Sequence, residues 1–422
     1  MWKKILSFTL GLTMVLCGFV GVWKAMPRPD AVIIDESAVE TVSDSPEEDK
    51  ENSPFQVDAK GAVLIDASTG QVLMEQDSHK ELPLASVTKV MTMLLVMESC
   101  EEGKISLTDQ VTISDYAASM GGSQMYMEAG EIHTVEELLQ GVAMASANDG
   151  CVALAEYVAG SEEIFVERMN ERAKELNMND TNFVNTNGLP VSNHYSSAYD
   201  IAVMSKELYK YEEIRKWFTT WQSTITIGLP GKEKEFGVTN TNKLIKSYNG
   251  CDGIKTGFTS DAGYCLSASA TRGETSLIAV ALGCETSAVR NAQVSKMLDY
   301  GFANYETSVI AEKGQAVEEV NIAHGTPQVI NAVAAEKITA LTGKGAKDSI
   351  DYEIKIDETV SLPLKKGDKI GEIHVNQSGK TVKYDLTASE DVNKASFKEL
   401  FTRRFLHTNE KESTESKGDN SQ

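Results

Sequence analysis

The sequence predicts a mixed α/β domain, then a small all-β module, then a C-terminal amphipathic helix. Three patterns carry that expectation. Strand-length apolar runs near residues 62–75 and 264–282 bracket a stretch with helical spacing. From 317 to 390 the spacing changes to alternation of apolar and polar side chains, as in half-buried strands. In Val392 to His407, Phe397, Leu400, Phe401 and Phe405 share one helical face, with Lys394, Lys398, Arg403 and Arg404 around it.

The elements follow in order. Met1-Trp2-Lys3-Lys4 is a short positive stretch, and 19 uncharged residues run from Ile5 to Trp23. That is the pattern of a signal peptide or membrane anchor over residues 1–26, so the protein is expected to be exported. Trp23 stands two positions before Ala25, which spoils a small-x-small cleavage site, and both outcomes stay open. Residues 27–54 hold nine acids against Arg28 and Lys50 and read as a disordered, solvated linker. Residues 55–306 are expected to form the α/β domain. Ala62–Asp66 and Gln71–Glu75 flank a Ser-Thr-Gly turn, as in a strand pair. Residues 86–98 form an apolar run without Gly or Pro, long enough for a buried helix. Thr134-Val-Glu-Glu137 is a capping box opening another helix, and Ser161 to Leu176 is amphipathic. Tyr264–Ala270 and Ser276–Leu282 surround Thr271-Arg-Gly-Glu-Thr275, a hairpin signal, and Gln293–Tyr305 returns to helical spacing. Residues 312–390 are expected to be a small β-sandwich, 392–407 an amphipathic helix that either associates with the membrane or docks on the β module, and 408–422 a polar tail.

Charge and cysteine use exclude several functions. A net charge of −22 without a basic patch argues against binding nucleic acid. Setting Cys17 in the targeting segment aside leaves five cysteines, an odd number, and there is no C-x-x-C or H-E-x-x-H. Neither a disulfide framework nor a metal centre is indicated, and no cofactor is expected.

Three short motifs carry chemistry. In Ser86-Val-Thr-Lys89, three residues is nearly one helical turn, so hydroxyl and ammonium share a face. A lysine whose pKa is lowered can take the serine proton and make a nucleophile. Ser146-Ala-Asn148 offers a second hydroxyl for proton relay and an amide to hold a substrate carbonyl. Ser247-Tyr-Asn249 has the same spacing but lies too near the third motif to be preferred. In Lys255-Thr256-Gly257, a cation and a hydroxyl on a strand edge can hold a carboxylate, with a glycine that lets backbone approach. Each motif alone has a bland reading: a helix N-terminus, a polar break in a helix, a turn.

Together, in this order, they resemble the low-molecular-mass penicillin-binding proteins, the serine-type D-alanyl-D-alanine carboxypeptidases. Leu84–Thr92, Ser146–Gly150, Asn187–Pro190, His194–Asp200 and Gly250–Cys265 all look like that family, and the likeness spans residues 56–406. It implies a serine transpeptidase/β-lactamase-like fold. It further implies an enzyme that removes the terminal D-alanine of peptidoglycan pentapeptides through an acyl-enzyme and is acylated by β-lactams. The family roles fall on Ser86 as nucleophile, Lys89 as base, and Ser146 and Asn148 in proton relay and positioning. Lys255, Thr256 and Arg290 would hold the terminal carboxylate, and the backbone N–H groups of Ser86 and Phe258, after Gly257, would form the oxyanion hole. His194 and Asp200 are read as scaffold. The layout also implies a partner in the anionic surface of the cell membrane, on its outer face.

Rival readings remain. A D,D-endopeptidase or transpeptidase differs only in leaving group or acceptor. A β-lactamase would need Glu-x-x-Leu-Asn, but Ala173 stands where that acid belongs before Leu176-Asn177. An inactive binding scaffold would not need the intact Ser86, Lys89, Ser146 and Lys255.

Overall fold

Gly61–Asp66 is a strand buried on both faces, the centre from which the α/β domain is built. A computed structural model describes residues 53–346, 350–357, 359–377 and 380–402. The expected signal or anchor, nearly all of the acidic linker, residues 403–407 of the expected C-terminal helix and the polar tail lie outside the described residues. The strand belongs to an antiparallel sheet in the order Val72–Gln76, Gly61–Asp66, Thr275–Cys284, Gly263–Arg272, Lys255–Thr259. Val63 pairs with Val280 and Leu64 with Ala279.

Period-two alternation sends side chains to opposite faces, and both faces are covered, which explains the unbroken apolar runs. Val63, Ile65, Ile278, Val280 and Leu282 face the larger core, which the helix Lys89–Glu101 enters with Val90, Met91, Met93 and Leu94. Ala62, Leu64, Leu277, Ala279 and Ala281 face the other layer, against Val294, Met297 and Leu298 of the helix Ser287–Asn304. Each valine, leucine, isoleucine or methionine among them contributes about 1.5–3 kcal/mol by leaving water. Lys89–Glu101 is buried on nearly every side, as a central helix must be. Around it lie Val135–Ala145, with the expected capping box between Thr134 and Glu137, and then Asn148–Ala159 and Glu162–Glu175.

The helix expected from Gln293 starts at Ser287, because Thr286 caps it and accepts from the Val289 N–H. The helices Ala198–Tyr209 and Glu212–Thr219 and the hairpin Gln222–Ile227 with Lys234–Thr239 were not foreseen.

The C-terminal region is all β, and it opens with Tyr305–Ala311, ahead of the expected residue 312. This strand pairs with Ile338–Gly343. A five-stranded antiparallel sheet follows, in the order Ala316–Asn321, Val329–Ala334, Lys380–Ala388, Lys369–Gln377, Asp351–Ile356. Ile330, Ile370, Ile373, Val375 and Leu386 fill its core.

The helix expected from Val392 starts later. Val392 is fully buried and exchanges both backbone hydrogen bonds with Leu364, and Asn393–Lys394 pairs with Gly325–Thr326. Helix occupies 397–402 within the described residues. Ser396 and Glu399 cap it reciprocally: the serine hydroxyl accepts from the Glu399 N–H and the carboxylate accepts from the Ser396 N–H. Lys394 is therefore a strand residue. Phe397 is 84% exposed and Phe401 54%, so neither is packed into the β core.

Candidate active site

The Ser-x-x-Lys motif straddles a joint. Ala85–Thr88 is a 3₁₀ turn that runs straight into the helix beginning at Lys89. The turn aligns the two side chains, and Lys89 Nζ lies 3.0 Å from Ser86 Oγ. The same ammonium donates to the carbonyl of Asn187. Lys89 is wholly buried, and burial lowers its pKa to about 8, against the opposing pull of the Cys151 and Asp149 charges. A lysine so placed is unprotonated far more often than one in water.

Ser146 sits in the break between Val135–Ala145 and Asn148–Ala159, at φ 63°, ψ 35°, a left-handed conformation rare for a residue with a Cβ. Its hydroxyl is buried and has no hydrogen-bond partner among the described residues. Such a group costs free energy unless something outside the chain satisfies it. Two residues on, Asn148 donates from Nδ2 to the Gly121 carbonyl at 2.6 Å, and its N–H donates to the Ser123 carbonyl. Asp149 accepts from the N–H groups of Met125 and Met127, so the middle motif holds the 121–127 loop in place.

The third motif lies on Lys255–Thr259, the edge strand of the sheet, as its chemistry requires. Lys255 is wholly buried, and its pKa falls well below the usual lysine value through burial and then the charge of Lys89. Its Nζ donates to the Thr256 carbonyl, and Thr256 Oγ1 meets Thr241 Oγ1 at 2.7 Å. A Cβ on Gly257 would come within 2.8 Å of the Leu84 carbonyl and 3.1 Å of the Ser86 nitrogen. Only glycine lets the strand lie against the serine turn.

Phe258 turns its side chain outward, 54% exposed and tilted over Tyr264 at 4.3 Å. Arg290 is buried, with Nε and Nη2 on Asn291 Oδ1 and Nη1 on the Cys265 carbonyl. Its charge is another that depresses Lys255, so Arg290 and the two lysines act on one region. Ser247, of the alternative Ser-x-Asn, is exposed on a one-turn helix, and its hydroxyl donates to the Lys243 carbonyl. Two contacts were not foreseen from the sequence: the Asn187 backbone carbonyl on Lys89, within a segment already read as family-like, and Thr241 beside Thr256. A backbone acceptor has no residue signature, and a lone threonine has little.

A hydroxyl beside a depressed lysine, an unsatisfied hydroxyl and buried cations on a strand edge suit acyl transfer on a substrate ending in a carboxylate. The sequence profile of the D-alanyl-D-alanine carboxypeptidase family matches residues 47–286. The chain belongs to this family. Residues 305–394 match the C-terminal domain of penicillin-binding protein 5. The chain is 45% identical over 350 residues to the D-alanyl-D-alanine carboxypeptidase DacF of Bacillus subtilis, covering 82% of this chain and 89% of that one. Penicillin-binding protein 5 from Haemophilus influenzae superposes with a TM-score of 0.65 at 32% identity, covering 81% of this chain and 99% of its own. A variant of the Streptomyces K15 DD-transpeptidase gives 0.55 at 28% identity, covering 59% of this chain and 99% of its own. The fold is thus the mixed α/β fold of the penicillin-binding carboxypeptidases with their all-β C-terminal domain, and the chain is a serine-type peptidase of peptidoglycan.

Proposed function

We propose that Ser86 is the nucleophile through which this carboxypeptidase releases D-alanine from peptidoglycan stems ending in D-Ala-D-Ala. The 3.0 Å contact between Ser86 Oγ and Lys89 Nζ, with the lysine depressed to about 8, carries this reading. Unprotonated Lys89 takes the hydroxyl proton as Ser86 Oγ attacks the carbonyl between the two D-alanines. The backbone N–H groups of Ser86 and Phe258 receive the negative oxygen; one such donor is typically worth about 3–4 kcal/mol in the transition state. The C–N bond then breaks, and the proton passes from Lys89 by way of the Ser146 hydroxyl to the departing amine. Lys255, Thr256 and Arg290 hold the carboxylate of the leaving D-alanine, and Asn148 holds the peptide. Water, losing its proton to Lys89, attacks the ester and returns Ser86 to its hydroxyl form. A β-lactam follows the first half of this path. Its leaving nitrogen stays tethered in the opened ring, so the acyl-enzyme persists.

The test is Ser86→Ala, assayed with a pentapeptide ending in D-Ala-D-Ala and with a labelled penicillin. Loss of both D-alanine release and labelling is expected. Labelling that moves to another serine would overturn the assignment. The likeness to the K15 DD-transpeptidase supports a second reading, in which an amine replaces water as acceptor. Adding a glycyl or diamino-acid acceptor and measuring new amide bonds against free acid separates the two.

Action on peptidoglycan places the work outside the cytoplasm. Among the described residues no helix is long and apolar enough to cross a membrane. Attachment to the anionic outer face of the cell membrane therefore rests on the 1–26 segment and on the C-terminal helix with its exposed Phe397 and Phe401.

A further inference from the structure

We propose that His194 is a positioning residue that sets the oxyanion-binding N–H of Ser86 through a relay of hydrogen bonds ending on the Ala85 carbonyl. The proposal rests on the assignment of Ser86 as nucleophile. His194 is buried and lies outside the three motifs. Its Nδ1 accepts from the Val184 N–H at 3.0 Å, and its Nε2 lies 2.8 Å from Thr88 Oγ1. A backbone N–H can only donate, so Nδ1 is unprotonated and the ring carries its proton on Nε2. Nε2–H therefore donates to the Thr88 hydroxyl. That hydroxyl spends its own proton on the Ala85 carbonyl, at 2.8 Å. Every proton along His194, Thr88 and Ala85 has one direction.

The last acceptor belongs to the peptide unit that joins Ala85 to Ser86. The unit is planar, so fixing its C=O fixes its N–H, which is the Ser86 N–H. A hydrogen bond accepted by the C=O also polarises the N–H on the other side, making it a better donor to a developing negative oxygen. The joint needs this hold. Ala85 is left-handed at φ 48°, a conformation alanine does not keep unaided. Gly188, at φ 82°, closes the far side: a Cβ there would fall 1.8 Å from the Ala85 carbonyl and 2.8 Å from Thr88 Oγ1. The segment from 187 to 194 thus grips the nucleophile turn twice, at Lys89 through the Asn187 carbonyl and at Thr88 through His194. Burial, and then the charge of Lys89, push the His194 pKa down to about 4, so the neutral ring that the relay requires persists at neutral pH.

The experiment compares His194→Phe, which fills the ring volume and makes neither bond, with His194→Gln, whose amide can accept from Val184 and donate to Thr88. Acylation by a labelled penicillin is timed and the labelled serine is mapped, alongside kcat and KM for the pentapeptide. The Phe variant should acylate Ser86 about 10–10²-fold slower, with the loss in kcat and little change in KM. The Gln variant should recover most of it. Thr88→Val cuts the same relay at its middle, and the Thr88→Val/His194→Phe double variant should be no slower than either single one. Thr88→Val also serves if His194→Phe fails to fold. Wild-type acylation in a folded His194→Phe or Thr88→Val protein, a Gln variant as slow as Phe, or additive losses in the double variant would each overturn the relay. Wild-type label on a serine other than Ser86 would overturn the nucleophile assignment instead.

Discussion

Lys255, depressed already by complete burial, is pushed lower by the charge of Lys89 from the neighbouring motif. The two amines cannot both carry a proton cheaply, and under the proposed role of Lys255 a substrate carboxylate arriving there would relieve that repulsion.

The burial of Lys89 gives a pH dependence with a definite sign. The base form of Lys89 is the unprotonated one, and its pKa stands at about 8. Penicillin acylation should rise with pH and level off above about 8. A rate flat between pH 6 and 9 would remove Lys89 from the role of base. Stability carries a linked signature. Between about 8 and the ordinary 10.5 the unfolded chain binds the Lys89 proton and the folded chain does not. This residue therefore makes the fold more stable as pH rises through that window, and Lys89→Met should flatten the slope. Acylation in the same variant should fall by about 10²–10⁴-fold.

Ser146 should separate stability from activity. Its backbone is left-handed and its buried hydroxyl has no partner among the described residues. Ser146→Gly removes both burdens and should stabilise the fold by about 1 kcal/mol. D-alanine release should drop by about 10²–10⁴-fold if, as proposed, Ser146 relays the proton to the leaving amine. Urea unfolding and a D-alanine assay on one preparation test both. A Ser146→Gly enzyme with full turnover would show that the proton takes another path.

Gly257→Ala tests the closeness of strand and turn. The added Cβ would meet backbone atoms of Leu84, Ser86 and Val87, none of which can swing aside. The edge strand must move, at a cost of about 1–3 kcal/mol in stability and about 10²-fold in acylation. Acylation at the wild-type rate would mean that the strand has more freedom than its packing allows.

The C-terminal helix should bind membranes without help from the N-terminal segment. A protein starting at Phe55 is expected to bind anionic vesicles and to release at high salt. Phe397, Leu400, Phe401 and Phe405 could each contribute about 1.5–3 kcal/mol on burial in the acyl boundary. Each nearby cation adds about 1 kcal/mol, less the cost of ordering. Removing residues 397–422, which spares buried Val392 and its pairing with Leu364, should abolish binding and leave pentapeptide turnover intact. Failure of the Phe55 protein to bind vesicles would count against the helix as an anchor.

The parts legible in advance were those where local chemistry and global fold agree. The strands around residues 62–75 and 264–282 are apolar because both faces of the sheet are covered, and Thr134 with Glu137 is a cap whose signal is entirely local. The Ser86–Lys89 contact could be read because a three-residue spacing is itself the geometry. What escaped depends on contacts between distant segments. The helix start at Ser287 was missed although its Thr286 cap is local, an exception to that rule. Val392 looked like the start of an amphipathic helix, yet an isolated β-bridge to Leu364 holds it in extended backbone. His194 passed as scaffold because its partners, Val184 and Thr88, are named nowhere in its own neighbourhood of the chain.

The sheet has a consequence for biosynthesis. Gly61–Asp66, among the first strands to leave the ribosome, finds its inner partner only in Thr275–Cys284, near the domain's end. No nascent or truncated chain ending before that strand can close the sheet, and Lys255–Thr259 would then lack the neighbour-by-neighbour support that holds it against the serine turn. The sheet stays incomplete until nearly the whole domain has been made.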